Sequence, residues 1–540
     1  MPDTFISLKK NIQGGCKLLK TISMRDVTIL WADDEIDLLK PNILFLESRG
    51  YNVLTATNGH DAIDMVKSHN PDLVFLDEYM PGISGLQTLE EIKGLYPDLP
   101  VIMITKSEEE NIMDEAIGSK ISDYLIKPVH PKQILLAIKK SLENKSLITK
   151  KITSSYQSDF GKLGTAINSA VTFDHWADIY RRLVFWEMEL ENSSDPGMNT
   201  IIAHQKEEAN NEFAKFIKSV YTGWFKDDDD KPLLSYGLFA SQVFPMLERS
   251  KKVVVILIDN LRYDQWKAIL PDVKDLFNIE REDLYCSILP TSTQFARNAI
   301  FSGLMPGEIE KLHPQLWIYD DEEGSKNPHE EELLNKHLKR LGKDFQVYYE
   351  KVINQKNGKK LSEDISSLIN NDLSVLVYNF VDMLSHARTE MDVIKELAND
   401  DAAYRSITRS WFRHSYLLDL LKELSSRKIS VVITSDHGSV RVDNPVKVVG
   451  DRNTTTNLRY KQGKNLNYNP KQVFEVRDPS KIHLPKNNVS SAYIFATGDD
   501  FFVYPNNFNY YANYYNNTFQ HGGISLEEMI VPCIFLEPRL

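Results

Sequence analysis

From Val27 onward the chain alternates short apolar runs with longer amphipathic stretches. Val27-Thr-Ile-Leu-Trp31, Tyr51-Asn-Val-Leu54, Leu73-Val-Phe-Leu76, Val101-Ile-Met-Ile104 and Tyr124-Leu-Ile126 have the length of strands, and the first interval, through Leu46, has helical spacing. Strands alternating with helices predict a doubly wound parallel sheet over residues 25–145. Over residues 146–249 the strand pattern disappears. Phe173, Trp176, Tyr180, Leu183, Val184 and Met188 recur at three and four residues, which predicts an amphipathic helix with its aromatics in a bundle core, and a second helix is expected from Ile201 to Phe225. The acidic run Asp227 to Asp230 reads as a solvated connector. From residue 250 to 540 apolar runs return, Val253 to Ile258 ahead of Asp259, Val375 to Phe380 ahead of Asp382, and Val431 to Ser435 ahead of Asp436. Residues 1–24 form an N-terminal tail.

The polar residues that close these runs carry the candidate chemistry. Asp33 and Asp34 end the first strand, Asp77 the third and Thr105 the fourth, and Lys127-Pro128 follows the fifth. Strand ends converge in a parallel α/β sheet. Three carboxylates so gathered stay ionised beside a divalent cation, and an all-oxygen site suits Mg²⁺. Asp77 is then a nucleophile for phosphoryl transfer, with Lys127 and the metal balancing the developing charge.

In the C-terminal region Asp259, Thr293, Asp382, His386, Asp436, His437 and His521 follow or cap apolar runs. Carboxylate oxygens and imidazole nitrogens without thiolates suit zinc or manganese, and three Asp with three His suffice for two ions, so a two-metal hydrolase is expected. Asp382 and His386 reach one ion if their segment is helical. A threonine alkoxide at a helix N-terminus is stabilised by backbone N–H groups and an adjacent metal. The residues alone do not choose between Thr291 and Thr293, and either equally serves as a cap. Between Arg441 and Arg477 a polar insertion carries Arg452, Asn453, Arg459, Tyr460, Lys461 and Lys464, which either grips phosphates and stacks a base or forms a solvated loop. The aromatic stretch Phe508 to Tyr515 either lines the cleft or packs beneath a loop.

Composition narrows the setting. With 540 residues, 42% of them hydrophobic, the chain accommodates three or four domains of roughly 100 to 200 residues, each with a core. A net charge of −13 argues against stable duplex DNA binding through a broad basic face, while leaving room for a local basic pocket. Cys16, Cys286 and Cys533 lie too far apart in sequence to suggest a redox or metal pair, which fits a reducing cytoplasm. No apolar run approaches the ~20 residues that span a membrane, and the N-terminal tail lacks the apolar core and cleavage site of a signal peptide.

Trp31-Ala-Asp-Asp-Glu35, Leu76-Asp-Glu-Tyr-Met-Pro-Gly82, Ile104-Thr105 and Ile126-Lys-Pro128 resemble the receiver domain of two-component response regulators. The resemblance implies that Asp77 accepts phosphate from a sensor histidine kinase. It further implies that Thr105 and Tyr124 form the switch pair, that Lys127 contacts the phosphoryl group, and that Asp33, Asp34, Asp77 and the backbone of Tyr79 hold Mg²⁺. Lys106 stands where receivers usually carry a small residue, a departure that bears on access to phosphorylated Asp77.

Ile258-Asp-Asn-Leu-Arg-Tyr-Asp264, Leu289-Pro-Thr-Ser-Thr293, Val381-Asp-Met-Leu-Ser-His386, Thr434-Ser-Asp-His-Gly438 and His521-Gly-Gly523 resemble the alkaline phosphatase superfamily, and within it the PglZ-type domains. The resemblance implies that Thr293 is the nucleophile, that Asp259, Asp436 and His437 hold one Zn²⁺ beside it, and that Asp382, His386 and His521 hold the other. Threonine in place of serine is similar to the phosphodiesterase branch. No Cys-x-Pro-x-Arg motif marks a sulfatase at the nucleophile. If the insertion overlies the metals, the favoured substrates are single-stranded oligonucleotides or cyclic nucleotide diesters.

Receiver, helical segment and PglZ-type domain in this order resemble the PorX-type response regulators linked to type IX secretion in Bacteroidetes. The fold class implied is α/β, with an N-terminal flavodoxin-like receiver, a central helical bundle and a C-terminal alkaline-phosphatase-like α/β domain. The same resemblance implies a homodimer on phosphorylation and contacts with a sigma factor and a secretion motor protein. The alternative function is a phosphorylation-controlled adaptor that binds those partners without catalysis; the seven filled positions favour catalysis. A phosphomonoesterase or phosphomutase with the same metals differs only in substrate profile.

Overall fold

The computed structural model describes residues 27–97, 99–106, 121–191, 196–226, 231–319, 322–363, 365–390, 398, 400–451, 454–486 and 490–539. The N-terminal tail with Cys16, the run Asp227 to Asp230, and Arg452 and Asn453 lie outside the described residues. The chain divides into two compact units, Met1–Ser154 and Ser155–Leu540.

In the first unit the strands β1 (Thr28–Ala32), β2 (Asn52–Ala56), β3 (Leu73–Asp77), β4 (Val101–Thr105) and β5 (Asp123–Ile126) form one sheet in the order β2-β1-β3-β4-β5. All its pairings are parallel. Every residue of β3 and β4 is buried, as expected of strands covered on both faces. Alternation sends Leu30, Val74, Leu76 and Met103 to one face, against Ala62, Val66 and Leu89 of helices Gly59–His69 and Gly85–Leu95. Trp31, Phe75, Ile102 and Ile104 meet Leu46, Ile134 and Ile138 on the other. Helix Gly85–Leu95 starts at a capping box between Ser84 and Gln87. A Cβ at Gly85 would lie 2.3 Å from the Asp77 carbonyl oxygen, so only glycine lets this helix approach the end of β3.

The second unit is built on a six-stranded sheet. Its strands are β6 (Val253–Ile258), β7 (Phe277–Cys286), β8 (Val347–Val352), β9 (Leu373–Tyr378), β10 (Ser430–Thr434) and, far down the chain, Ile530–Pro538. From one edge the order is β7, Ile530–Pro538, β10, β6, β9, β8; the last four run parallel and the first two pairings are antiparallel. β6, β9 and β10 are wholly buried. Their C-terminal ends open toward Asp259, Asp382 and Asp436. Asp382 differs from the strand-end placement expected of it, because β9 stops at Tyr378 and Asp382 lies in the first turn of helix Phe380–Glu390.

Helix Pro131–Ser169 contributes its first part to one unit and its last part to the other. Helices Phe173–Glu191 and Pro196–Val220 follow, with Trp176, Tyr180, Leu183 and Val184 buried as their spacing predicts. The second helix begins and ends about a turn earlier than the Ile201 to Phe225 expected: Pro196 opens it, and just beyond its end the buried Tyr221 hydroxyl accepts from Leu289 N at 2.7 Å. These helices belong to the same unit as the six-stranded sheet. Arg405 donates to Glu187 and Glu191 at 2.8 Å each, and Lys206 Nζ lies 3.1 Å from both Glu187 and Glu527. No helix among the described residues is long and apolar enough to cross a membrane.

Candidate metal centres

The receiver site gathers at the ends of β1, β3 and β5. Asp33 and Asp77 are buried, Asp34 is exposed, and one ligand oxygen from each lies within 4.8 Å of the others. Lys127 Nζ stands 2.8 Å from Asp33 Oδ2 and 3.1 Å from Asp77 Oδ1. Burial, then the charge of Asp33, pushes the Asp77 carboxyl up from 3.8 to about 6. A divalent cation would relieve that repulsion, and the all-oxygen donor set fits Mg²⁺. Thr105 is buried at the end of β4, Tyr124 is half-buried in β5, and Tyr79 is exposed beside the site. Lys106 turns to Glu35 at 2.6 Å.

In the second unit, two triads are drawn together from distant parts of the chain. Ligand atoms of Asp259, Asp436 and His437 lie within 4.8 Å of one another, as do those of Asp382, His386 and His521. His437 and His521 join the triads, their rings 4.3 Å apart and 23° from parallel. Asn260 joins them a second time. Its backbone N donates to Asp436 Oδ1 at 3.2 Å and its Nδ2 to Asp382 Oδ1 at 3.5 Å, from a left-handed conformation with φ of 64°. Asparagine tolerates that region better than most residues.

The His437 and His521 rings present Nε2 because Nδ1 is held elsewhere. His437 Nδ1 lies 3.0 Å from Gly438 O, and His521 Nδ1 lies 3.2 Å from Thr291 O. Such contacts fix ring orientation and tautomer in metal-binding histidines. Burial, and then the neighbouring His437, holds His521 well below the ordinary histidine value, so its ring is a neutral donor.

Burial opposes ionisation of Asp259, yet Arg297 and His437 keep its carboxyl below the ordinary value. Asp436 is pushed up to about 7 and Asp382 to about 6, in both cases by burial first and the Asp259 charge second. Asp436 Oδ2 is buried without a hydrogen-bond partner and faces His437 Nε2 at 3.8 Å. A buried carboxylate oxygen without a hydrogen-bond partner beside an imidazole nitrogen is a cation site in its chemistry. The donor set without thiolates fits Zn²⁺ or Mn²⁺.

The two candidate threonines separate cleanly. Thr291 Oγ1 donates to Gly523 O at 2.9 Å and accepts from Gly522 N at 3.0 Å, bracing the His521 loop. Thr293, the first residue of helix Thr293–Ser302, turns its Oγ1 to Asp259 Oδ1 at 3.3 Å and His437 Nε2 at 3.2 Å.

Four supporting residues are not anticipated from the sequence. Arg297 Nη1 lies 2.7 Å from Asp259 Oδ2, and its Nε lies 2.6 Å from Glu330. Glu330 also binds Lys351 at 2.9 Å, Lys351 donates to Asn327 O, and Asn327 Nδ2 donates to Thr293 O at 3.0 Å, closing a loop of contacts beneath the site. The signal for Arg297 was its spacing, four residues beyond Thr293 on one helix face.

Among the described residues of the insertion, Arg459, Tyr460 and Lys461 are buried and do not present the basic surface expected of them. Arg459 is fully buried and donates to Glu528 at 3.1 and 2.6 Å, while Glu528 accepts from Gly523 N at 2.9 Å. Arg459 therefore supports the His521 loop from behind. Lys461 is buried, donating to Thr455 O at 2.9 Å over the ring of Tyr504, and burial lowers its ammonium to about 7. Tyr460 packs its ring 5.8 Å from Phe295. The strand Tyr460–Gly463, paired with Ala492–Ala496, turns these side chains inward.

Comparisons with known proteins match the segments that carry the two sites. The family model described as the response regulator receiver domain matches residues 29–139, and that of the PorX response regulator linker domain matches residues 146–225. Among curated proteins the chain is similar to the transcriptional regulatory protein ZraR of Klebsiella oxytoca, 33% identical over 143 residues, 26% of this chain and 32% of that one. ZraR of Escherichia coli (strain K12) is 32% identical over 139 residues, with the same coverages. The chain thus spans about a third of the length of the curated relatives it matches. Similar solved structures include the receiver domain of NtrX from Brucella abortus, at 32% identity over 21% of this chain and 98% of that chain, TM-score 0.21. A response regulator receiver domain protein from Clostridium thermocellum is 31% identical over 22% and 98%, TM-score 0.22. The model described as the BREX system PglZ alkaline phosphatase-like domain matches residues 238–536 and so takes in both triads and Thr293. Since that match covers more than half of the 540 residues, the chain belongs to the PglZ alkaline phosphatase-like family, joined to a receiver in the PorX-type arrangement.

Proposed function

We propose that this protein is a response regulator, phosphorylated on Asp77 by a cognate sensor histidine kinase, whose effector is a two-zinc phosphodiesterase acting on oligonucleotide or cyclic nucleotide diesters. The observation that carries the effector reading is the Thr293 hydroxyl 3.3 Å from Asp259 and 3.2 Å from His437, beside a second triad of the same donor chemistry. In this reading Asp259, Asp436 and His437 hold one Zn²⁺, and Asp382, His386 and His521 the other. A bound pair lowers the pKa of a hydroxyl ligand and stabilises entering and leaving oxygens of an in-line displacement.

Thr293 Oγ1 attacks phosphorus and its proton passes to solvent. The bond to the leaving alkoxide breaks, the alkoxide takes up a proton, and water then hydrolyses the nucleotidyl-threonine diester. Thr293 opens helix Thr293–Ser302, and the N-terminal end of that helix favours the developing negative charge. The intermediate keeps the second ester group, so its hydrolysis releases a phosphomonoester and restores the Thr293 hydroxyl, while Arg297 and Asn260 hold Asp259, Asp436 and Asp382 in place.

Phosphorylation changes turnover only so far as the active arrangement binds the phosphoryl group better than the resting one. The proposal includes Mg²⁺ at Asp33, Asp34, Asp77 and the Tyr79 backbone, the switch pair Thr105 and Tyr124, a homodimer favoured by phosphorylation, and a cytoplasmic role in type IX secretion through a sigma factor and a motor protein. The test is hydrolysis of cyclic and linear short oligonucleotides by Zn²⁺-loaded protein, with and without an acyl-phosphate mimic, alongside sedimentation. Diester cleavage together with mimic-dependent dimerisation supports the reading. Metal-loaded protein that dimerises without cleaving any diester is the non-catalytic adaptor.

A further inference from the structure

Residues Phe508–Tyr515 form a helix with no buried side chain, six residues ahead of His521. Phe508 and Tyr515 lean on the buried cluster Val440, Val442, Phe501 and Val503, which fixes the helix against the second unit. That anchoring leaves Tyr510 64%, Tyr511 40% and Tyr514 38% exposed. The rings are already ordered. Tyr510 and Tyr514 lie 6.2 Å apart with planes 13° from parallel, and Tyr511 and Tyr515 lie 6.3 Å apart at 16°. Edge contacts of 5.1 Å (Tyr510 to Tyr511) and 4.9 Å (Tyr514 to Tyr515) tie the two pairs together.

Solvated tyrosines that face outward in parallel pairs are available to a partner with flat rings of its own. Between Pro505 and Gln520 there is no Asp, Glu, Lys or Arg, in a chain whose net charge is −13, so a polyanion meets no carboxylate on this segment. The segment also runs directly into the metal centre. The helix leads to the strand Phe519–Gln520, paired with Val440–Arg441 just beyond His437, and then to His521. Six residues of chain reach at most about 20 Å, the span of a few nucleotides.

We propose that the tyrosine helix is a base-stacking platform for the single-stranded stretch of an oligonucleotide whose diester lies at the metal centre. This rests on the phosphodiesterase reading of that centre. Stacking tolerates any base, because every base has a π-face, so the platform supplies affinity without sequence preference. The grip that Arg459 and Lys461 do not offer, being turned inward, is placed on the aromatic side of the His521 loop.

The experiment is fluorescence anisotropy of a short labelled oligothymidylate with phosphorothioate linkages, which resists hydrolysis, against the full Zn²⁺-loaded chain. Tyr510→Ala/Tyr514→Ala is expected to weaken binding about tenfold or more, the effect of removing a stacking ring, while Tyr510→Phe/Tyr514→Phe retains it. Equal affinity of the alanine variant and the unmodified protein overturns the proposal, as does equal loss in the phenylalanine variant. Diester hydrolysis with tyrosine-independent binding removes the platform and leaves the phosphodiesterase. Tyrosine-dependent binding by a chain that cleaves no diester leaves the platform and removes the phosphodiesterase.

Discussion

Arg297 Nη1 lies 2.7 Å from Asp259 Oδ2, with both side chains buried, so one oxygen of this carboxylate is committed to a guanidinium while the other faces Thr293 and His437. The same guanidinium binds Glu330. Removing it strands the desolvated Asp259 carboxylate and leaves Glu330 with Lys351 alone as its cationic partner. Arg297→Met is expected to destabilise the second unit by about 3–5 kcal/mol, the cost of breaking a buried pair by removing one partner. Urea unfolding of the metal-free protein measures it, and added Zn²⁺ should recover part of the loss by neutralising Asp259.

Thr291 and Thr293 are predicted to fail differently. Thr293→Ala removes a hydroxyl that faces the triad and should abolish turnover with stability within about 0.5 kcal/mol. Thr291→Val leaves Gly522 N and Gly523 O without their partner and should cost about 1–3 kcal/mol, with weaker metal binding through the displaced His521. Denaturation midpoints and Zn²⁺ titrations of the two variants check the contrast.

A Cβ on Gly438 would stand 2.1 Å from Glu527 O, a clash with backbone that no rotamer relieves. Gly438→Ala must therefore move the segment carrying His437. We expect Zn²⁺ affinity to fall about 10- to 100-fold, the range seen when the surroundings of a ligand are disturbed. Isothermal titration with Zn²⁺ provides the readout.

The receiver carries a pH signature. Asp77 is raised from 3.8 to about 6 in the folded state, so the folded chain keeps this proton where the unfolded chain has lost it. Stability from this group is therefore present below about 4 and is lost as pH rises through about 6. Mg²⁺ needs the ionised carboxylate and reverses the loss. The melting temperature of the receiver should respond little to Mg²⁺ at pH 5 and strongly at pH 7.5, and Asp77→Asn should raise the metal-free melting temperature at pH 7.5. Equal Mg²⁺ responses at both pH values would contradict this.

The receiver was legible in the sequence because its chemistry closes short, wholly buried strands, and Asp33, Asp77 and Thr105 stand at the ends of β1, β3 and β4 as the apolar runs indicate. The two triads were legible for the same reason, except that Asp382 belongs to a helix whose first turn continues the apolar run of β9. In the insertion, Arg459, Tyr460 and Lys461 depart from both expectations, being buried. Arg459 and Lys461 look like a solvated basic stripe by composition, but a partner 69 residues away, Glu528, and a strand pairing with Ala492–Ala496 draw them inward. Partners at such separations leave no periodic trace. Phe508 to Tyr515 went the other way, since nothing in an aromatic run distinguishes a helix packed under a loop from one resting on a single edge.

The central claim is that Thr293 is the nucleophile of a two-metal phosphodiesterase. The most direct measurement is hydrolysis of a chromogenic phosphodiester by the Zn²⁺-loaded protein and by Thr293→Ala, with metal content determined on both. About two Zn²⁺ per chain are expected in each, with turnover in the unmodified protein and none in the variant. Turnover that survives in fully metallated Thr293→Ala, or no turnover in the fully metallated unmodified protein with and without an acyl-phosphate mimic, would contradict it.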